Sequence, residues 1–303
     1  MLVAGLGQCT MDYIAVVDKY PSEDVKFEVT PWKIYGGGPV ATCLVALSRL
    51  GIDTRFMGLI SNDPAGQFIK EGLITEGVNV DFLVEKTDGI SQTAFIIANK
   101  SNGKRTIFWA RPTVEEITDK EISPNFLKNA SLLHLDGLMM NASIYTAKIA
   151  QTMNIPVMYD AGSLRDGFEE LISLCDYVVC SEVFSIQLTK GKHEETLKYL
   201  IDRGAKMAAV TLGAKGSVNA NNNNDTFHQP TFKVNVVDTT GAGDVFHAGY
   251  IYGILQGWHI YQIAQFATAL AALKCTKVGG RDGIPTLDET LAFLEKYSTF
   301  RFD

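Results

Sequence analysis

Residues 237–250 read VDTTGAGDVFHAGY, and the rest of the chain can be placed from them. An extended run (residues 232–237) leads into Gly241-Ala242-Gly243, then an acid, Asp244, and a helix start. Two glycines around one alanine leave the turn little side-chain bulk, so the backbone can pass close to a ligand. A helix that begins there points unpaired N–H groups and the positive end of its dipole at that ligand. Such a site binds anions, phosphate foremost. A carboxylate beside bound phosphate is repelled by it unless the carboxylate takes part in the chemistry. Phosphoryl transfer reconciles the two: the amides of Gly241, Ala242 and Gly243 hold the moving group, and Asp244 accepts the proton of an attacking hydroxyl. The residues alone also allow a plainer reading, with Asp244 as an N-cap and the glycines as a tight turn.

The full string DTTGAGDVFHAGY resembles the signature of the ribokinase-like (PfkB-type) carbohydrate kinases. That resemblance implies a three-layer α/β/α sandwich with a mainly parallel central sheet and a small β-sheet lid. It implies an ATP-dependent phosphotransferase with an alcohol group as acceptor, and it makes Asp244 the catalytic base. ATP and Mg²⁺ come with it as cofactors.

Bulk composition describes an ordinary soluble globular protein. The chain has 303 residues, 46% hydrophobic and 20% charged, which is enough for one sizeable core and a single domain over 1–303. A net charge of −7 without a basic cluster excludes nucleic acid or an anionic membrane as the expected partner. No apolar run approaches the roughly 20 residues that span a bilayer. MLVAGLGQCTMDY at the start has no basic segment before its apolar residues, so it reads as a buried strand and not a signal peptide. The five cysteines are odd in number and scattered, which predicts reduced thiols in a cytoplasm.

Along the chain, residues 2–7 form the first apolar run. GLGQCT lacks the third glycine of a dinucleotide fingerprint, and no helix pattern follows it. Alternating stretches at 14–17 and 26–30, then at 93–99 and 105–109, predict antiparallel strands outside the main sheet, within about 13–35 and 91–111. The turn 100–103 joins the second pair. By resemblance these strands make a lid over the sugar site and a homodimer interface. Gly36-Gly37-Gly38 then opens a helix with Pro39 at its first position, and the glycines let substrate hydroxyls reach the backbone. From there strand and helix patterns alternate (54–60, 131–136, 157–160, 177–180, 207–212), which predicts a parallel sheet covered on both faces. A polar hairpin tip follows at 221–224, and 245–274 reads as a packed helix pair.

The resemblance assigns further residues. Asp12, shortly after the first strand, would bind sugar hydroxyls together with the turn Gly36, Gly37 and Gly38. Thr42 stands where many members have asparagine. Apart from the resemblance, Trp109 or Phe108 on the second lid pair offers a nucleoside's base a ring to stack on, packing within the lid being the plainer reading. Thr211, Gly213 and Gly216 of TLGAKG, with Thr240 and with Gly279 in the loop 277–285, would contact the nucleotide. Alignment on Leu188-Thr189 puts Ser181 and Phe184 at the family's usual asparagine and glutamate, so Glu182 becomes the stand-in for water-mediated Mg²⁺ binding. Asp238 would help hold a monovalent cation such as K⁺. VVDTTGAGDVFH and ALKCTKVGGRDGIP resemble the bacterial sulfofructose kinases, but Leu138-Met139-Met140 is too apolar to cradle a sulfonate. A nucleoside kinase of the same fold, or a catalytically silent sugar- or nucleotide-binding regulator, remain the alternatives.

Overall fold

A computed structural model describes residues 1–29, 32–101, 105–223 and 225–297. Strand β1 (Leu2–Leu6) is buried, and β2 (Thr10–Val17) and β3 (Lys33–Gly37) then leave the main body. Helix α1 (Pro39–Arg49) brings the chain back, with Val40, Leu44 and Leu47 buried as their spacing predicts. The run expected over 54–60 breaks at Gly58 into β4 (Asp53–Met57) and β5 (Leu59–Ser61). Helix α2 (Pro64–Thr75) and the short strands β6 (Val78–Asn79) and β7 (Val84–Lys86) follow. A second excursion is made by β8 (Thr93–Asn99) and β9 (Arg105–Ala110).

Strands and helices then alternate. They are β10 (Leu132–Leu135), α3 (Met140–Thr152), β11 (Val157–Ala161) and α4 (Phe168–Ser173). Next come β12 (Tyr177–Ser181), α5 (Glu182–Thr189), α6 (His193–Asp202) and β13 (Met207–Thr211). A hairpin of β14 (Ser217–Asn221) and β15 (Thr226–Gln229) precedes α7 (Ala242–Leu255), α8 (Ile260–Lys274) and α9 (Leu287–Leu294).

The central sheet has the order β15-β14-β13-β12-β11-β10-β1-β4-β6 and is parallel except at its β14–β15 edge. Buried side chains of α1, α2, α7, α8 and α9 pack on one face, and those of α3 to α6 on the other. This is the predicted three-layer sandwich. Strand order reverses between β1 and β10: β1 continues to β4 on one side, and β10 to β11 on the other. In sheets of this kind, ligands bind outside the carboxyl ends of the strands at such a reversal.

The lid is a separate four-stranded sheet of order β3-β2-β8-β9. Each excursion is an antiparallel pair, as expected, but the two pairs join through parallel β2 and β8. The reason is topological: each excursion rises on its first strand and returns on its second, and the two rising strands meet. The strand expected over 26–30 is not formed. Residues 22–28 are exposed and 26–29 carry no strand pairing, because their alternating charges offer no face to bury; Lys33–Gly37 pairs with β2 instead. Thr30, the turn residues Asn102 and Gly103, and the hairpin-tip residue Asn224 lie outside the described residues.

Candidate active site

At the reversal, the Gln8 N–H donates to Asp136 Oδ2 at 2.7 Å and the Leu138 N–H to Oδ1 at 3.0 Å. Burial pushes the Asp136 carboxyl up to about 6 against the pull of those two bonds. Asp12, on β2, is also buried and accepts from Thr10 Oγ1 at 3.0 Å. Burial again pushes it up to about 6, opposed by the Thr10 bond and by the Arg281 guanidinium. Two carboxyls with unused lone pairs suit an acceptor rich in hydroxyl donors. Gly36 and Gly37 end β3 where side chains have no room: a Cβ would meet the Arg281 guanidinium at the first and the Asp12 carboxyl at the second. Gly38 caps α1 at φ 95°, and Thr42 is buried one turn later with its N–H on the Gly38 carbonyl at 2.9 Å.

Arg281 ties this corner together. It is buried, donates from Nη2 to the Gly37 carbonyl at 3.1 Å, and burial lowers it to about 10. Asp12 first, then Glu76, Cys9 and Asp244, favour its charged form, so one buried cation is felt by both Asp12 and Asp244. Trp109 lies on the lid's site-facing side in register with Ala94 and Asp12. Its ring is 46% exposed and has the Arg111 guanidinium 5.2 Å above it.

Helix α7 starts at Gly241, whose φ of 76° is a left-handed cap natural to glycine. The Ala242 N–H already donates to the Thr239 carbonyl at 3.2 Å, so of the three expected amides, those of Gly241 and Gly243 are left for an anion. Asp244 sits in the first turn, half-buried. Desolvation first, and the Asp160 carboxylate next, push it up to about 7, while His247, Arg105 and Lys274 pull the other way. A base poised near neutrality is well matched to proton transfer. Asp160, at the end of β11, is itself pushed up to about 8 by burial and by Asp136. His247 donates from Nδ1 to the Gly243 carbonyl at 2.7 Å, with Nε2 3.4 Å from Asp160 Oδ1. The imidazole therefore braces the turn that presents Gly243, and burial lowers its pKa.

On the far side of this turn lies a cavity of about 570 Å³. Thr211, Gly213, Gly216, Ala242 and Gly243 line it, with apolar walls from Phe232, Val236 and Phe246. Its volume and mixed lining suit a nucleotide-sized ligand. Arg105 reaches it from the lid and donates from Nη1 to Thr239 Oγ1 at 3.0 Å, so lid and anion turn are in contact. Thr240 does not line the cavity: its N–H and hydroxyl both donate to Asp238 Oδ1, at 2.9 and 2.7 Å, and Thr239 takes the lining position. Gly279 likewise lies away from it, donating to Asp238 Oδ2 at 2.8 Å and packing under the Tyr35 ring. Ser181 caps α5 by accepting the Phe184 N–H at 3.1 Å, and Phe184 is fully buried against Phe168. Glu182 is not part of the cavity lining; one of its oxygens lies 3.8 Å from Lys215 Nζ and much of its side chain is exposed. Among the described residues, no group of three or more His, Cys, Asp or Glu gathers as a metal site.

The model of the pfkB family carbohydrate kinases matches residues 2–287. The chain belongs to this family. A 5-dehydro-2-deoxygluconokinase from Listeria monocytogenes is 25% identical over 310 residues, spanning 95% of this kinase and 94% of its own length. Arabidopsis thaliana ribokinase, solved in complex with ribose and ATP, matches the fold with a TM-score of 0.83 at 23% identity, over 98% of this chain and 99% of that one. A putative ribokinase II from E. coli, in complex with ATP and Mg²⁺, has a TM-score of 0.85 at 22% identity, over 97% and 99%. The protein is a carbohydrate kinase of ribokinase-like fold.

Four residues of the candidate site escape a reading of the sequence. Asp136 and Asp160 end runs that read only as strands, although an acid at the carboxyl end of a parallel strand is the signal that was available. Arg281 and Arg105 carry no such signal, because their partners Gly37 and Thr239 are remote in sequence.

Proposed function

We propose that the kinase transfers the γ-phosphoryl group of ATP to a hydroxyl of a sugar or sugar derivative, with Asp244 as general base. The observation that carries this reading is Asp244 in the first turn of α7, next to Gly243 in the lining of the 570 Å³ cavity, with the buried Arg281 feeling both Asp244 and Asp12. The acceptor hydroxyl gives its proton to Asp244 as its oxygen attacks the γ-phosphorus, and the bond to the β-phosphate oxygen breaks to release ADP. Charge building on the phosphoryl oxygens meets the Gly241 and Gly243 amides and the α7 dipole. Arg105 brings a positive charge from the lid to the same turn, so acceptor closure and charge stabilisation are coupled. Asp12, Asp136 and the Gly36–Gly38 backbone orient the acceptor, with Trp109 as a wall.

Magnesium keeps most of its waters and uses few protein carboxylates. Glu182, only loosely paired with Lys215, fits a hydrated ion of that kind. When bound, Mg²⁺ neutralises the nucleotide phosphates. The five cysteines are buried and unpaired, which fits a reducing cytoplasm. On the outer lid face, Ile34, Tyr13, Phe95 and Phe108 form one row across all four strands, with three of them 47–57% exposed. A second copy of the chain is the partner that this row supports.

The deciding experiment is ADP release from Mg-ATP over a panel of sugars, sulfosugars, sugar phosphates and nucleosides, with Asp244→Asn alongside. The reading requires release with one acceptor class and its loss in the variant, while nucleotide binding persists. Near-normal turnover by Asp244→Asn would remove Asp244 as base.

A further inference from the structure

The loop that opens the anion turn (237–241) and the loop after α8 (275–283) lie against each other. Val237 and Asp238 N–H groups donate to the Cys275 carbonyl at 2.8 and 3.2 Å, and a Cβ on Gly241 would sit 2.7 Å from the Gly280 oxygen. Two facing loops rich in carbonyls are what a weakly hydrated monovalent cation needs. Asp238, the residue expected to help hold one, already has each of its three oxygens engaged. Its Oδ1 accepts twice from Thr240, its Oδ2 accepts from Gly279, and its main-chain oxygen accepts from Lys274 Nζ at 3.0 Å.

Lys274 is the last residue of α8 and is fully buried. A lysine is almost never found there unless its charge is compensated. Burial lowers its pKa, and the Asp238, Cys275 and Asp244 groups oppose that shift, with Arg105 the cation repelling it. Its long stem crosses from the end of α8 to the start of the anion turn. The ammonium thus brings one positive charge to Asp238 while satisfying the carbonyl of the same residue.

We propose that the Lys274 ammonium takes the place a monovalent cation would hold between these two loops, so that nucleotide binding by this kinase does not depend on K⁺. The nucleotide part rests on reading the 570 Å³ cavity as the ATP site. Order in the anion turn is then fixed by the fold and does not vary with salt composition. This replaces the expectation of K⁺ at Asp238 with a covalently attached cation.

The test compares potassium chloride with tetramethylammonium chloride at equal ionic strength. One readout is the melting temperature of the ligand-free protein; the other is calorimetric affinity for the non-hydrolysable analogue AMP-PNP with Mg²⁺. Both should be the same in the two salts for the wild type. Lys274→Ala should melt about 5 °C or more lower in tetramethylammonium and bind the analogue about tenfold more weakly, because a buried partner of Asp238 is gone. Potassium should restore a large part of both losses by entering the vacated position. Lys274→Met, which keeps the aliphatic stem, replaces the alanine variant if that one does not fold. A wild-type response specific to K⁺ overturns the proposal, and so does a variant whose losses no monovalent cation relieves, since that assigns Lys274 to packing alone. Absence of analogue binding by the wild type would refute the kinase reading instead, and the melting comparison would still judge the cation.

Discussion

Asp160→Asn removes a buried acid from beneath the base with little change in side-chain size. In the wild type, burial and then the Asp160 carboxylate push Asp244 up to about 7, and burial pushes Asp160 up as well, so the two carboxyls share one proton near neutrality. The base must be ionised before it can accept a proton, so kcat/KM should fall as pH drops through about 7. Asp244, Asp160 and His247 titrate as a set, and the acidic limb belongs to that set. Removing one like charge moves a neighbouring carboxyl down by about 1 unit, close to 1.4 kcal/mol. Burial, the larger cause, is untouched, so the limb should settle near 6 and stay well above an ordinary carboxyl. At pH 6 the ionised fraction then rises from roughly one-tenth to about half, so kcat/KM relative to its own plateau rises about fivefold. The assay is the pH profile of kcat/KM for ADP release with the acceptor that the panel identifies. A limb that stays at the wild-type pH in Asp160→Asn, or moves up, would refute Asp160 as a modulator of the base.

Two further outcomes follow from packing. A Cβ on Gly249 would sit 2.6 Å from Ala267 Cα, so Gly249→Ala must push α7 from α8; the cost of about 1–3 kcal/mol should exceed the ~1 kcal/mol gained in helix propensity. Gly72→Ala in α2 meets nothing within 4 Å and should instead stabilise by ~0.5–1 kcal/mol, so urea midpoints moving the same way in the two variants would contradict this geometry. On the lid, Phe95→Arg should turn a two-chain species into a single chain in sedimentation, because Phe95 stacks on Tyr13 at 5.0 Å in the middle of the exposed row. A wild type that sediments as one chain at high concentration would remove the second copy as partner.

What the sequence discloses here follows from how local each signal is. The anion turn needs only adjacent residues, so GAGD announces both Gly241 as a left-handed cap and Asp244 in the first turn. The sheet is similarly legible because parallel strands buried on both faces are uninterrupted apolar runs. The lid is less so. Strand 26–30 was expected from alternation alone, yet alternation needs a buried face, and Lys33–Gly37 gains one by carrying Tyr35 against Val278. The parts of the site with no local signature are the ones built by contact between distant segments. Phe184 illustrates the limit from the other direction: a motif position filled by a fully buried aromatic has left the metal's reach, and only packing against Phe168 reveals it. Lys274 takes the point furthest. In sequence it is one more charge at a helix end, where lysine is favoured anyway. Its role becomes visible only when Asp238, a distant residue with every oxygen already engaged, is found at the end of its side chain. A buried cation and a spent carboxylate explain each other, and neither can be read without the other.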